Sequence, residues 1–245
     1  MDAKTTFLHG DLEEEIYMKQ LEGFVVKGKK ELVCKLKKSL FGLIQSPRMW
    51  YHKFDTFIRG LGFTKSKAYH YVYFELIGDC VIYLVLYVDD MLLVGNDKKV
   101  IQDLKTQLSS KFDMKYLGVV NYILGMEIKR DREKRKLWLN QRKYVKTILK
   151  RFNMQDSKPV KVLTLVGVRL SNEQCPKMQE EEEEMSCVSY ASTVSSLMYS
   201  MVCSRPDIAH VVGLLSRFMS KPGKEHWTSV KQVFKYLCGT SGYGL

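Results

Sequence analysis

Two adjacent carboxylates, Asp89 and Asp90, sit at the centre of an otherwise apolar stretch, CVIYLVLYVDDMLLVG, over residues 80–95. Carboxylates are costly to bury unless they are paired, hydrogen-bonded or bound to a cation. Both flanks are rich in β-branched and aromatic residues, which favour strands. The stretch therefore predicts a β-hairpin with Tyr87-Val88-Asp89-Asp90 at its tip. Such a tip offers hard oxygen ligands to a divalent cation, Mg²⁺ first among them. It fits a solvated Asp-Asp turn equally well. The residues alone leave both readings open.

The elements that must position this tip are legible to different degrees. Residues 71–77 read as a strand beside the hairpin. Lys98 to Phe112 reads as an amphipathic helix with Val100, Ile101, Leu104, Leu108 and Phe112 inward. Apolar residues recur at helical intervals over 31–58, from Leu36 through Trp50 and Phe54 to Ile58, with a break at Gln45-Ser46-Pro47 where Pro47 opens a second helix. Residues 121–129 and 136–141 predict a hairpin around the charged turn Asp131 to Arg135, followed by a short basic helix, Lys143 to Phe152. The pattern dissolves between about 155 and 189, which reads as an acidic, mobile linker. Ser204-Arg205-Pro206-Asp207 resembles a capping box opening a helix to about Met219. A last helix from about Glu225 stops before Gly239, read as a C′ glycine. Irregular alternation of strands and helices makes the fold class α+β.

Composition narrows the function classes. The chain has 245 residues, 45% apolar and 27% charged, with a net charge of +12. That charge coexists with the acidic run Glu180 to Glu184, so the remainder is more basic still. A basic body suits a polyanion, with nucleic acid ahead of an acidic membrane surface; a surface kept basic for solubility is the alternative. The six cysteines show neither CxxC nor zinc-ligand spacing and read as buried free thiols of a reducing compartment. The five histidines form no HxxxH or HxxH pair. No signal-peptide pattern is legible, and two acids interrupt the longest apolar run, so neither a membrane span nor a membrane partner is expected.

Seven segments, in order, carry a resemblance: MDAKTTFLHGDLEEEIYM (1–18), CKLKKSLFGLIQSPRMWY (34–51), LYVDDMLLVG (86–95), LGMEI (124–128), WLNQRKY (138–144), SLMYSMVCSRPDIAHVVGLLSRFMS (196–220) and HWTSVKQVFKYLCGTSGYGL (226–245). A lone YVDD would say little. Together they resemble the reverse transcriptase region of copia-type LTR retrotransposon Pol polyproteins. That resemblance implies a polymerase palm: an antiparallel sheet backed by helices, with partial fingers and a helical, thumb-like C-terminal part. The corresponding division is 1–154 for palm and partial fingers, 155–189 for the linker, and 190–245 for the thumb or connection region.

The resemblance also implies an RNA-directed DNA polymerase using two Mg²⁺ ions, with Mn²⁺ as a substitute, on an RNA template, a DNA primer and deoxynucleoside triphosphates. Asp2, Asp89 and Asp90 correspond to the catalytic, metal-binding acids. Phe7 falls where an aromatic ring can exclude a nucleotide 2′-hydroxyl; without the family it would be read as core packing. Gly42, Gln45, Ser46, Arg48 and Tyr87 correspond to nucleotide- and template-binding positions. Arg48 stands evenly between a phosphate contact and a stray surface charge.

Departures from the family pattern bear on competence. The fingers that precede Asp2 in the family are expected to lie outside these 245 residues, and a ribonuclease H module to follow Leu245. Other Pol modules would then be partners in a parent polyprotein. Ile44 replaces a usual Lys, Tyr69 and Tyr116 stand at positions commonly Asp, and Leu163-Thr164-Leu165 replaces a Ser-Thr-Pro-like turn. The chain is thus expected to be weakly active or inactive, a non-enzymatic nucleic-acid-binding remnant being the alternative. By analogy the location is intracellular: cytoplasmic and particle-associated, with a nuclear phase.

Overall fold

The computed structural model describes residues 1–163 and 169–245, in two compact units, Met1–Val119 and Val120–Leu245. The replaced turn noted above lies partly outside the described residues, since Thr164 and Leu165 are not among them.

The first unit is organised by antiparallel pairing. In chain order its elements are β1 (Asp2–Ala3), β2 (Tyr17–Lys19), β3 (Val33–Lys35), α1 (Ser46–Gly60), β4 (Thr64–Lys65), β5 (Val72–Ile77), β6 (Cys80–Tyr87), β7 (Asp90–Gly95), α2 (Lys98–Lys111) and β8 (Met114–Lys115). The main sheet runs β4-β5-β6-β7-β1-β8, with β2 and β3 as a separate ribbon. Register assigns the two faces. Tyr73 pairs with Leu84, Leu84 with Leu93, and Leu86 with Met91. This row is buried with Ala3 against Trp50, Phe54 and Ile58 of α1 and Leu104 and Leu108 of α2. The alternate row carries Tyr83, Tyr87, Val94, Asp90 and Asp2 and is largely open. Asp97 caps α2, its side chain accepting from the Lys99 and Val100 amides.

The structure differs from the sequence reading over 31–44. No helix forms before Ser46; Val33–Lys35 pairs with Tyr17–Lys19 instead. Apolar spacing alone does not separate a short ribbon from a helix, and Leu32, Val33 and Phe41 are exposed rather than aligned on a buried face.

The second unit comprises β9 (Tyr122–Ile123), β10 (Met126–Asp131), β11 (Lys136–Asn140), α3 (Arg142–Arg151), α4 (Gln179–Ser186), α5 (Tyr190–Cys203), α6 (Ala209–Leu215) and α7 (Lys224–Gly239). The expected hairpin is there, with an extra turn at Leu124-Gly125 that splits its first arm into β9 and β10. Val145, Ile148, Val194, Leu197, Val212, Val233 and Phe234 form one core from four of the helices. The compact division falls at 119, and α3 packs with the C-terminal helices. The acidic run is ordered as α4, with Met185 buried and ion pairs Glu182–Lys221 (2.6 Å) and Glu184–Lys224 (2.5 Å).

Ser204 does not cap a helix; its hydroxyl donates to Gln141 Oε1 at 2.9 Å. Arg205, 1% exposed, takes the organising role. It grips Asp207 through two nitrogens, donates to the Thr240 carbonyl and hydroxyl, and lies beside the Tyr236 and Tyr243 rings. Helix α7 includes Gly239 and ends at Thr240 rather than on a left-handed glycine. All six cysteines are free, but none is fully buried: Cys34 and Cys187 are exposed. Among the described residues no helix is long and apolar enough to cross a membrane.

Removing one partner of a buried charge pair strands the other. Arg205→Ala, which empties a buried site and leaves the Thr240 carbonyl and a partly exposed Asp207 without their donor, is expected to cost the second unit about 1–3 kcal/mol, read as a lower urea midpoint by far-ultraviolet circular dichroism, with hydrogen exchange rising first at α7 and β11.

Candidate active site

Strand β1 is only two residues long, yet it brings the N-terminal acid to the hairpin. Met1 donates to and accepts from Met91, at 2.9 and 2.8 Å, and the Ala3 amide donates to the Asp89 carbonyl at 2.9 Å. Between these bonded positions Asp2 stands directly opposite Asp90. That makes Asp2 and Asp90 a non-hydrogen-bonded pair, the closer type, with Cα atoms about 4.5 Å apart and side chains on one face. Like charges placed so are destabilising. Asp89 occupies the adjoining turn and is exposed. Partial burial raises the Asp90 carboxyl above the ordinary carboxylate range, and the charges of Asp89 and Asp2 push it further. Among the described residues no Lys or Arg forms a salt bridge with any of the three acids.

The turn itself is strained. Val88 has φ 55°, a conformation that β-branched residues avoid. The fold holds it there from below, because the Trp50 indole N–H donates to the Val88 carbonyl at 2.7 Å from the buried face of α1. Trp50 belongs to the site's scaffold and was read from sequence only as a core position. No local pattern distinguishes a tryptophan that packs from one that also ties down a turn.

A cleft of about 560 Å³ opens beside the tip, lined by Phe7, Ile44, Pro47, Arg48, Trp50, Tyr51, Tyr71, Leu86, Tyr87 and Val88. Three expected site residues, Phe7, Arg48 and Tyr87, line it. Phe7 sits on a 3₁₀ turn, Thr6–His9, and meets Phe41 edge-on at 4.8 Å. The buried Ser39 hydroxyl clamps that turn by donating to the carbonyls of Phe7 and Gly10. Gly10 itself must be glycine, since a Cβ would meet Met49 Cβ at 2.9 Å. Arg48 is exposed and without a salt bridge among the described residues.

The other expected residues are placed differently. Ser46 is buried, and its hydroxyl donates to the Leu40 carbonyl at 2.6 Å, shaping the entry to α1. Gln45 precedes the helix with its amide donating to Glu14 at 3.1 Å. Gly42 adopts φ +94°, with nothing within 4 Å of where a Cβ would lie. These three bound the turn before α1 rather than line the cleft. Among the described residues no group of three or more His, Cys, Asp or Glu side chains is gathered closely enough to hold a metal as it stands.

Two outcomes follow from this geometry. With Asp90 raised, the folded state binds its proton more tightly than the unfolded chain, so stability present in acid is lost as pH rises through the folded-state value. Asp90→Asn is expected to raise the unfolding midpoint of the first unit at pH 7, and the advantage to shrink toward pH 4; a midpoint unchanged at pH 7 contradicts this. Val88→Gly, which removes the penalty at positive φ, is expected to stabilise by about 1 kcal/mol despite the added chain entropy, measured by urea unfolding.

Comparison with known proteins agrees with the motif pattern. The chain is 55% identical over 243 residues to the Retrovirus-related Pol polyprotein from transposon TNT 1-94 of Nicotiana tabacum, covering 99% of the chain and 18% of that polyprotein. It is 35% identical over its full length to the transposon RE2 Pol polyprotein of Arabidopsis thaliana, of which it covers 16%. It is 30% identical to a putative transposon Ty5-1 protein of Saccharomyces cerevisiae, covering 98% of the chain and 76% of that protein. The chain thus spans less than a fifth of the two plant polyproteins. No solved structure matches it. Residues 1–166 match the family model described as reverse transcriptase (RNA-dependent DNA polymerase). The chain belongs to that family, in the form carried by copia-type retrotransposon Pol polyproteins.

Proposed function

We propose that the chain carries the catalytic face of an RNA-directed DNA polymerase, with a DNA primer, an RNA template and deoxynucleoside triphosphates as substrates and other Pol modules as neighbours in a parent polyprotein. The observation that carries this is the register of Asp2 on Asp90: two like charges held on one open sheet face, with Asp89 in the adjoining turn, and no cationic side chain among the described residues to balance them. In this reading the first unit is palm with part of the fingers, and the helices of the second are the thumb or connection region.

The donor set suits a hard divalent cation, since all three groups are carboxylates. Asp2, Asp89 and Asp90 would hold Mg²⁺, or Mn²⁺ in its place. Bound there, two such ions would neutralise the attacking 3′-oxygen and the leaving pyrophosphate. The remaining work falls to the chain's own residues. The open face beside Tyr87 and Tyr83 receives the primer terminus. Phe7 limits space at the sugar. Arg48, the cationic residue lining the cleft, meets a phosphate. Gly42, with open space where a Cβ would lie, leaves room for a nucleic-acid backbone to approach the turn. Gln45 and Ser46 act on nucleotide and template through the turn they brace.

Positioning dominates this class of chemistry, and the three acids are not gathered into a closed group. We therefore expect weak turnover from the 245 residues alone. That same observation, with the +12 charge, favours a second reading as a nucleic-acid-binding module without turnover.

Primer extension separates them. On poly-rA with oligo-dT and dTTP, in Mg²⁺ or Mn²⁺, slow extension is expected and should vanish in the Asp89→Asn, Asp90→Asn double variant. Salt-sensitive binding without extension would select the second reading; extension that survives in the variant would remove the acids from the mechanism.

A further inference from the structure

The cleft beside the hairpin has a feature that the acids, Phe7 and Arg48 leave unused: a rigid aromatic step leading out of it along a basic loop. Tyr51, on α1, is held from several directions. Its hydroxyl donates to the His70 carbonyl at 2.8 Å and accepts from Tyr73 at 3.2 Å, and the Lys65 ammonium lies 4.9 Å from its ring centre. The single Tyr73 hydroxyl proton is shared with Asp55, whose carboxylate lies closer at 2.8 Å. Tyr71 meets Tyr51 edge-on, with ring centres 5.2 Å apart, and remains 58% exposed at the cleft wall. The segment from Lys65 at the end of β4 to Tyr71 before β5, Lys65-Ser66-Lys67-Ala68-Tyr69-His70-Tyr71, adds an exposed Lys67, an exposed His70 and a second outward ring, Tyr69, 72% exposed.

We propose that Tyr71, backed by Tyr51, is a stacking platform for an unpaired template base, and that the 65–71 segment guides the single strand that carries it. The inference rests on the polymerase reading above. Aromatic rings interleaved with cations along one segment are what a groove for single-stranded nucleic acid requires: rings for the bases, cations for the backbone. The occupant follows from charge. The lining of the cleft has one cation, Arg48, and is otherwise mainly apolar and aromatic, which matches an uncharged base better than the triphosphate of an incoming nucleotide. A template strand satisfies both regions at once, with a base on Tyr71 and its phosphates beside Lys67. Tyr71 immediately precedes β5, and its carbonyl accepts from the Leu86 amide while its ring meets Tyr51 of α1, which places it on the cleft wall on the α1 side of the sheet. The Tyr51 network keeps the ring in place before the ligand arrives, which lowers the ordering cost of binding.

The test uses the full chain and primer–templates with 2-aminopurine at the first unpaired template position, a base whose fluorescence is quenched by stacking. The wild type should quench it and should bind the overhang substrate about tenfold more tightly than a blunt duplex of the same sequence. Tyr71→Phe should retain both properties. Tyr71→Ala, an exposed substitution whose folding is checked by circular dichroism, should lose both while keeping salt-sensitive binding to the duplex. Quenching and overhang preference that persist in Tyr71→Ala overturn the platform. Salt-sensitive binding by the wild type with no overhang preference overturns it as well and leaves the polymerase reading intact. Failure of the wild type to bind any primer–template overturns both.

Discussion

The pairing of β1 with β7 is the constraint on which the site depends. A two-residue strand contributes almost no stability of its own, and it is held because Met1 and Ala3 bond to the strand on one side of Asp2 and to the turn on the other. Side chains alternate across a strand with a period of two. With Ala3 in the core, Asp2 must therefore face outward, onto the row that carries Asp90 and Tyr87. A slip by one residue would bury the acid and expose the alanine. The apolar packing beneath the sheet thus enforces an electrostatic arrangement above it that the carboxylates would not adopt alone. Folding supplies the repulsion.

The hairpin tip shows the same division of labour. Val88 occupies a left-handed conformation whose strain persists only where surroundings over-determine it. The surroundings here are concrete: a six-residue-deep register between β6 and β7 on one side, and the Trp50 hydrogen bond on the other. Trp50 is itself wedged against Phe54 and Phe112, with ring centres 5.7 and 5.1 Å away. Core packing, helix α1 and the exposed acid are consequently links of one chain. A change in the aromatic core would be felt at Asp89 through a single carbonyl.

The second unit solves a different problem with a buried cation. Arg205 is desolvated almost completely, and such a charge is tolerable only when it is paired and hydrogen-bonded. Asp207, Thr240 and two tyrosine rings surround it, which ties the turn before α6 to the end of α7. The Asp207 carboxyl is lowered through its bond and charge contact with Arg205, although its own burial opposes this. The tail residue Leu245 then exchanges backbone bonds of 2.8 Å with Leu139. The motif SRPD was read as a helix cap because its residue types fit one; its arginine instead found partners that no local rule supplies.

Much was legible before any coordinates. The apolar, β-branched flanks of Asp89-Asp90 define β6 and β7 because period and propensity agree there, and α2 is marked by its inward apolar row. Family membership follows from motif order. Legibility failed where the deciding contacts are long-range. Val33–Lys35 became a ribbon strand because Tyr17–Lys19 was available to pair. The glutamate run became α4 with Lys221 and Lys224 paired to Glu182 and Glu184 and Met185 buried. Ser46 and Gln45 spend their polar groups on Leu40 and Glu14. By itself the sequence determined which elements could form and which residues could hold a cation or a phosphate, since both are written in residue type and spacing. Only the tertiary structure decided that Asp2 faces Asp90 and that Trp50 pins Val88. It also decided that Tyr51 and Tyr71 share a cleft, because register and packing are set by partners distant in the chain.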